Sequence, residues 1–171
     1  MAGNSVSEGK AETFQWVLHN IDKDAQILDV GPGKGIYGVN LRSMGYAHVD
    51  AVEVEESYVQ RFGQRAIYRE VYVADARSWE PVRDYDLVIF GDVLEHMPLF
   101  DALLLLNKHR YAHCIVSVPW MYKQGADEGI EAERHYQDQL TPASVNKHYH
   151  PDQWLKVGEV VGVFVINPDQ R

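Results

Sequence analysis

Cysteine is nearly absent from this chain. Cys114 stands alone, so no intrachain disulfide can form, which fits a reducing cytoplasm. A membrane-spanning apolar run is missing too, since no stretch approaches the roughly 20 residues that a bilayer requires. The first residues, Met1-Ala2-Gly3-Asn4-Ser5, lack the charged-then-apolar layout of a secretory signal. Positive charge is also scarce. A net charge of −9 argues against a broad nucleic-acid surface, because phosphate binding needs clustered Lys and Arg. Internal repeats and low-complexity segments are absent as well. What remains is an ordinary globular composition, 46% hydrophobic and 24% charged over 171 residues, the size of one domain with one core. A soluble cytoplasmic protein without a membrane partner is the expectation.

The most informative stretch is Gln26-Ile27-Leu28-Asp29-Val30-Gly31-Pro32-Gly33-Lys34-Gly35. It reads as a short apolar strand running into a glycine turn, followed by a helix over about 35–44 that stops at Gly45. Glycines at such a turn let a ligand approach the backbone and the N-terminal N–H groups of the helix. Further strands are expected at 47–54, 69–73, 86–90, 112–118 and 159–166. Helices are expected at 12–18, 55–65, 99–109 and 151–157. Alternation of this kind predicts an α/β fold, a doubly wound and mostly parallel sheet of six to seven strands with helices on both faces. Residues 1–10 read as a disordered lead-in. Residues 119–150 read as a polar, aromatic loop or lid over a substrate.

Such sheets bind ligands at the carboxyl ends of their strands. Acids fall there repeatedly: Asp29, Glu53, Asp75 and Asp92. Glu53, at the tip of the second strand, could accept hydrogen bonds from both hydroxyls of a ribose. Gly33-Lys34-Gly35-Ile36-Tyr37-Gly38 matches a dinucleotide fingerprint by letter, which would suggest a nicotinamide enzyme. Its register is wrong, because the strand already ends at Val30-Gly31.

An acid two residues before a G-x-G-x-G turn, with Glu53, Asp75-Ala76 and Asp86-Leu87-Val88-Ile89-Phe90-Gly91-Asp92-Val93-Leu94-Glu95-His96 in order behind it, resembles the class I, Rossmann-like S-adenosylmethionine-dependent methyltransferases. The resemblance covers about residues 11–120. It implies S-adenosylmethionine as cofactor, with Asp29, Gly31, Gly33 and Gly35 around its methionine and ribose, Glu53 on the ribose, Asp75 and Ala76 about the adenine, and Asp92 beside them. It also implies methyl transfer to an O or N of a small-molecule acceptor. The Asn/Asp-Pro-Pro-Tyr/Phe motif of the DNA and protein-glutamine amino methylases is absent after the fourth strand, where Gly91-Asp92-Val93-Leu94 stands instead.

Asp92, Glu95, His96, His135 and Tyr136 are candidates for positioning the acceptor or removing its proton. His96 and His135 are the leading catalytic candidates, because imidazole titrates near neutrality. No metal site is expected: His148 and His150, with His135 and Asp138 upstream, could be read as a metal cluster, but alternating histidines in a loop are also ordinary surface. His148 to Leu155 resembles a family stretch that opens a late helix. Only one strand is legible after it, where the family has two. The sequence therefore predicts either a C-terminally truncated sheet or an edge covered by a second copy of the chain. A non-catalytic partner subunit of the same fold is the alternative function.

Overall fold

Residues 7–108, 111–125 and 130–167 are described by the structure, a computed structural model. Four short apolar runs form the centre of a seven-stranded sheet: β1 (Ile27–Val30), β2 (Val49–Glu53), β4 (Tyr85–Gly91) and β5 (Tyr111–Pro119). The full order is β3-β2-β1-β4-β5-β7-β6, with β3 at Val71–Val73, β6 at Gln153–Val157 and β7 at Val161–Ile166. β1 to β5 run parallel, and β7 is antiparallel to both of its neighbours.

Every residue of β1, β2 and β7 is buried, as expected where helices cover both faces. Alternate side chains feed two separate cores. Leu28, Val30, Val88 and Phe90 pack with Ala102 and Leu105 of α5 (Leu99–Lys108) and Val145 of α6 (Pro142–His148). On the opposite face Ile27, Leu87 and Ile89 pack with Val17 of α1 (Lys10–Asn20), Leu41 of α2 (Ile36–Ser43) and Val59 of α3 (Glu56–Arg61). A short α4 (Gln64–Ile67) follows α3, so the expected helix over 55–65 is two pieces broken at Gly63, which adopts φ 63°. At the other end of β2, buried Asp50 is held by Arg69 (2.7 Å) and the Tyr85 hydroxyl (3.1 Å). Among the described residues no helix is long and apolar enough to cross a membrane.

Four expectations need correction. The sheet is not truncated: β6 and β7 form the antiparallel hairpin that closes its far edge. The motive for an edge covered by a second copy falls with it. Residues 151–157 are not a helix, because Gln153–Val157 is the edge strand β6. A bulge between Trp154 and Lys156 interrupts its two-residue alternation. The late helix lies earlier, at Pro142–His148 inside the supposed loop. It starts at Thr141, which caps it reciprocally with Ser144.

The lead-in is also more ordered than expected over 7–10. Glu8 accepts the backbone N–H groups of Glu159 (3.3 Å) and Val160 (3.1 Å), and Lys10 opens α1. Residues 1–6, 109–110 and 126–129, which include parts of the expected lead-in, helix and lid, lie outside the described residues.

Candidate functional site

The strand order reverses between β1 and β4, where a crevice opens beyond the carboxyl ends of the parallel strands. One cavity occupies it. Gly31, Gly33 and Lys34 from the turn line one wall, Glu53 and Asp75 another, and Asp92, Glu95, His96 and His135 the far side. The turn takes the shape its glycines permit, with φ 62° at Gly31 and 50° at Gly33.

Glu53 reaches across from β2 and is almost fully buried. Its two oxygens accept from the N–H groups of Gly33 (3.3 Å) and Glu55 (3.0 Å). Burial nonetheless pushes its carboxyl above the usual range. Asp75 and Ala76 also line the cavity. Arg77 clasps the Asp75 carboxylate (2.6 Å), holding its pKa below the ordinary value. Asp92 adopts φ 58°, a strained conformation for a residue with a Cβ. Ser117 donates its hydroxyl to Asp92 Oδ1 (2.5 Å) from the neighbouring strand.

Two expected cofactor residues stand elsewhere. Asp29 is buried beneath the turn and is not part of the cavity wall. Its Oδ2 accepts the Tyr68 hydroxyl at 2.6 Å, and burial lifts its pKa to about 7. Gly35 also faces away; a Cβ there would meet Ile67 Cδ1 at 2.7 Å. Both residues act on the turn from behind. Asp29 sits on the β1 face that meets α1 and α2, and Gly35 is where α2 and α4 approach.

Three residues went unread in the sequence. Tyr68, beyond α4, donates to Asp29 and accepts the Gly38 N–H (3.2 Å), tying β1 to the first turn of α2. Tyr37 is buried against Gly91 and Phe14. Lys10 lies over the Tyr37 ring at 4.7 Å. Burial lowers the Lys10 pKa, opposed by the charges of Asp92 and Asp29. Each of these contacts joins segments that are distant in the chain, and no local pattern announces them.

The far side of the cavity is built by the segment after β5. The backbone N–H groups of Tyr136 (2.8 Å) and Gln137 (3.2 Å) donate to the Glu95 carbonyl, and the Gln137 amide donates to the carbonyls of Leu94 and Met97. These bonds bring His135 against His96, with ring centroids 4.6 Å apart and the rings nearly perpendicular. Burial, then the neighbouring His135, lowers the pKa of His96. Tyr136, the other candidate from this segment, is largely exposed and does not line the cavity. His148 and His150 stand apart from the His96–His135 pair: His148 is on α6, and His150 follows it with φ 51°.

The charged groups on the cavity wall are therefore mainly acidic, Glu53, Glu55, Asp75, Asp92, Glu95 and Glu133 against Lys34 and Arg77, an environment suited to a cationic ligand more than to a pyrophosphate. Residues 27–111 match a family model described as a methyltransferase domain. No curated protein matches the chain. Among solved structures it is similar to the PH0226 protein of Pyrococcus horikoshii OT3 (16% identity, 95% of this chain and 92% of that one, TM-score 0.70). It is also similar to the magnesium protoporphyrin IX methyltransferase of Synechocystis PCC 6803 with bound S-adenosylhomocysteine (17%, 92% and 81%, 0.65). A third is the 1,6-didemethyltoxoflavin-N1-methyltransferase of Burkholderia thailandensis, with bound 1,6-didemethyltoxoflavin and S-adenosylhomocysteine (16%, 94% and 78%, 0.62). At such identities the three structures establish a shared fold, and the domain match adds the family: the chain belongs to the class I, S-adenosylmethionine-dependent methyltransferases.

Proposed function

We propose that this chain carries a methyl group from S-adenosylmethionine to an oxygen or nitrogen of a small-molecule acceptor, with Gly31, Gly33, Glu53, Asp75, Ala76 and Asp92 holding the donor. The observation that carries the reading is Glu53, buried at the end of β2 and directed at the Gly31–Gly33 turn. Its oxygens suit two adjacent hydroxyls, and the acids around it suit a sulfonium and an ammonium group. The bound cofactor supplies an electrophilic methyl carbon.

The chain's own task is then to orient the acceptor and exclude water, where alignment contributes up to roughly 7–11 kcal/mol. The described residues on either side of 126–129 that face the cavity would form the acceptor wall. Tyr122, Gln124 and His135 all line the cavity, and the Gln124 amide donates to the Glu133 carbonyl (2.8 Å). Two of the similar structures are named for small-molecule acceptors, which supports that substrate class. Of the two motives for a non-catalytic partner subunit, a missing strand and the lack of a certain base, the first falls because β6 is present.

Isothermal titration of the purified chain with S-adenosylhomocysteine tests the reading. Binding with a Kd in the micromolar range is expected, corresponding to about 8 kcal/mol. Saturable binding of NADH with none of S-adenosylhomocysteine would replace it with a nicotinamide enzyme.

A further inference from the structure

Glu95 is out of place as a mere lining residue. It has 0% exposure, and neither carboxylate oxygen has a hydrogen-bond partner among the described residues. A bare carboxylate so buried is strongly disfavoured unless a proton or a cation accompanies it. Asp92 and Glu133 add further negative charge around it. Glu133 is itself fixed by the Tyr58 hydroxyl (2.8 Å) and the Gln124 amide (3.2 Å).

The two imidazoles beside it are already oriented. His96 Nδ1 lies 3.3 Å from the carbonyl of Arg134, and His135 Nδ1 lies 3.0 Å from the carbonyl of Tyr122. A carbonyl oxygen can only accept, so each Nδ1 carries its hydrogen. In the neutral ring that leaves the lone pair on Nε2. Fixing a tautomer through a backbone carbonyl is how proteins prepare histidines as metal ligands. One ligand atom from each of Glu95, His96 and His135 lies within 4.8 Å of the others. Among the described residues, His148, His150 and Asp138 belong to no such group.

We infer that Glu95, His96 and His135 form a binding site for a divalent first-row transition-metal ion, in the acceptor half of the methyl-transfer cavity. Two imidazoles and one carboxylate suit such an ion and leave coordination positions open. The ion supplies the charge that the Glu95 carboxylate lacks. Its role rests on the function proposed above. A hydroxyl oxygen of the acceptor occupies an open position, its O–H bond breaks, and the proton passes to bulk water. The oxygen keeps the electron pair and forms a bond to the donor's methyl carbon as the methyl–sulfur bond breaks, its electron pair going to the sulfur, which becomes a neutral thioether. The acceptor is accordingly an alcohol or phenol rather than an amine, and the two histidines act as ligands, not as general bases.

Cobalt(II) is the probe. An untagged, chelator-treated chain is titrated with Co2+ alone and followed by its visible d–d absorption and by calorimetry. One saturable equivalent is expected. Glu95→Gln and His135→Gln should each weaken it at least about ten-fold, while His148→Gln and His150→Gln leave it unchanged. Circular dichroism confirms that each variant is folded. No saturable binding, or equal affinity in wild type, Glu95→Gln and His135→Gln, overturns the site. Titration of the metal-free chain with S-adenosylhomocysteine reports on the donor site by itself. Co2+ binding without S-adenosylhomocysteine binding would retain the ion and discard the methyl transfer.

Discussion

Tyr68 and Asp29 make a buried 2.6 Å hydrogen bond beneath the glycine turn, and the same hydroxyl accepts the Gly38 N–H at 3.2 Å. Tyr68→Phe removes both at once and leaves a buried acid and a buried amide with one partner fewer. A loss of about 1–3 kcal/mol in unfolding free energy is expected, read by urea denaturation. A change under about 0.5 kcal/mol, the usual scatter of neutral substitutions, would show that the tyrosine does not support the turn.

Asp29 also sets a pH dependence. Its carboxyl is raised from the ordinary 3.8 to about 7, so between those values the folded chain keeps a proton that the unfolded chain has released. Stability therefore falls as pH rises through this window and levels off above it. Asp29→Asn cannot titrate there. The stability of wild type relative to this variant should decline from about pH 4 to about pH 7. A difference that stays flat across the range would contradict the assignment.

Glu53→Ala removes the acceptor aimed at the turn. Charge-assisted hydrogen bonds of this kind are worth about 1.5–3 kcal/mol, so S-adenosylhomocysteine should bind about 10- to 100-fold more weakly. Calorimetry with the variant decides it. An unaltered Kd would move the donor's ribose elsewhere in the cavity.

Gly91→Ala tests how tightly the end of β4 is packed. The added Cβ would stand 2.3 Å from Tyr37 Cε2, and Tyr37 is itself buried. Overpacking at such a position costs about 1–3 kcal/mol. Thermal denaturation should show the loss, and a variant as stable as wild type would mean that the tyrosine has room to withdraw.

The parts of the site that local pattern can carry were legible. Strand, glycine turn and acid lie within ten residues at Gln26–Gly35, and Glu53 closes a short strand whose five residues are all buried. The other face of the same turn was hidden, because Tyr68 reaches Asp29 across 39 positions. The C-terminal hairpin was half read. β7 is a buried apolar run, whereas β6 is half-exposed and bulged between Trp154 and Lys156, which erases the alternation that betrays a strand. The helix at Pro142–His148 escaped because it buries only Val145 and shows no apolar stripe. Its Thr141–Ser144 cap replaces the usual Glu or Gln with a hydroxyl. His96 and His135 are each legible as a candidate, but their approach to one another and to an orphaned Glu95 depends on backbone bonds that no spacing encodes.

Glu8 joins residues 159 and 160 across 151 and 152 positions of chain, two residues ahead of Lys10, which lies over the Tyr37 ring. During synthesis the first of these partners leaves the ribosome long before the second exists. Docking of the Glu8–Lys10 segment must therefore wait until the β6–β7 hairpin has emerged. A nascent chain halted before residue 159 would hold its glycine turn and Glu53 without this tether, and the native setting of Lys10 becomes a late event in folding.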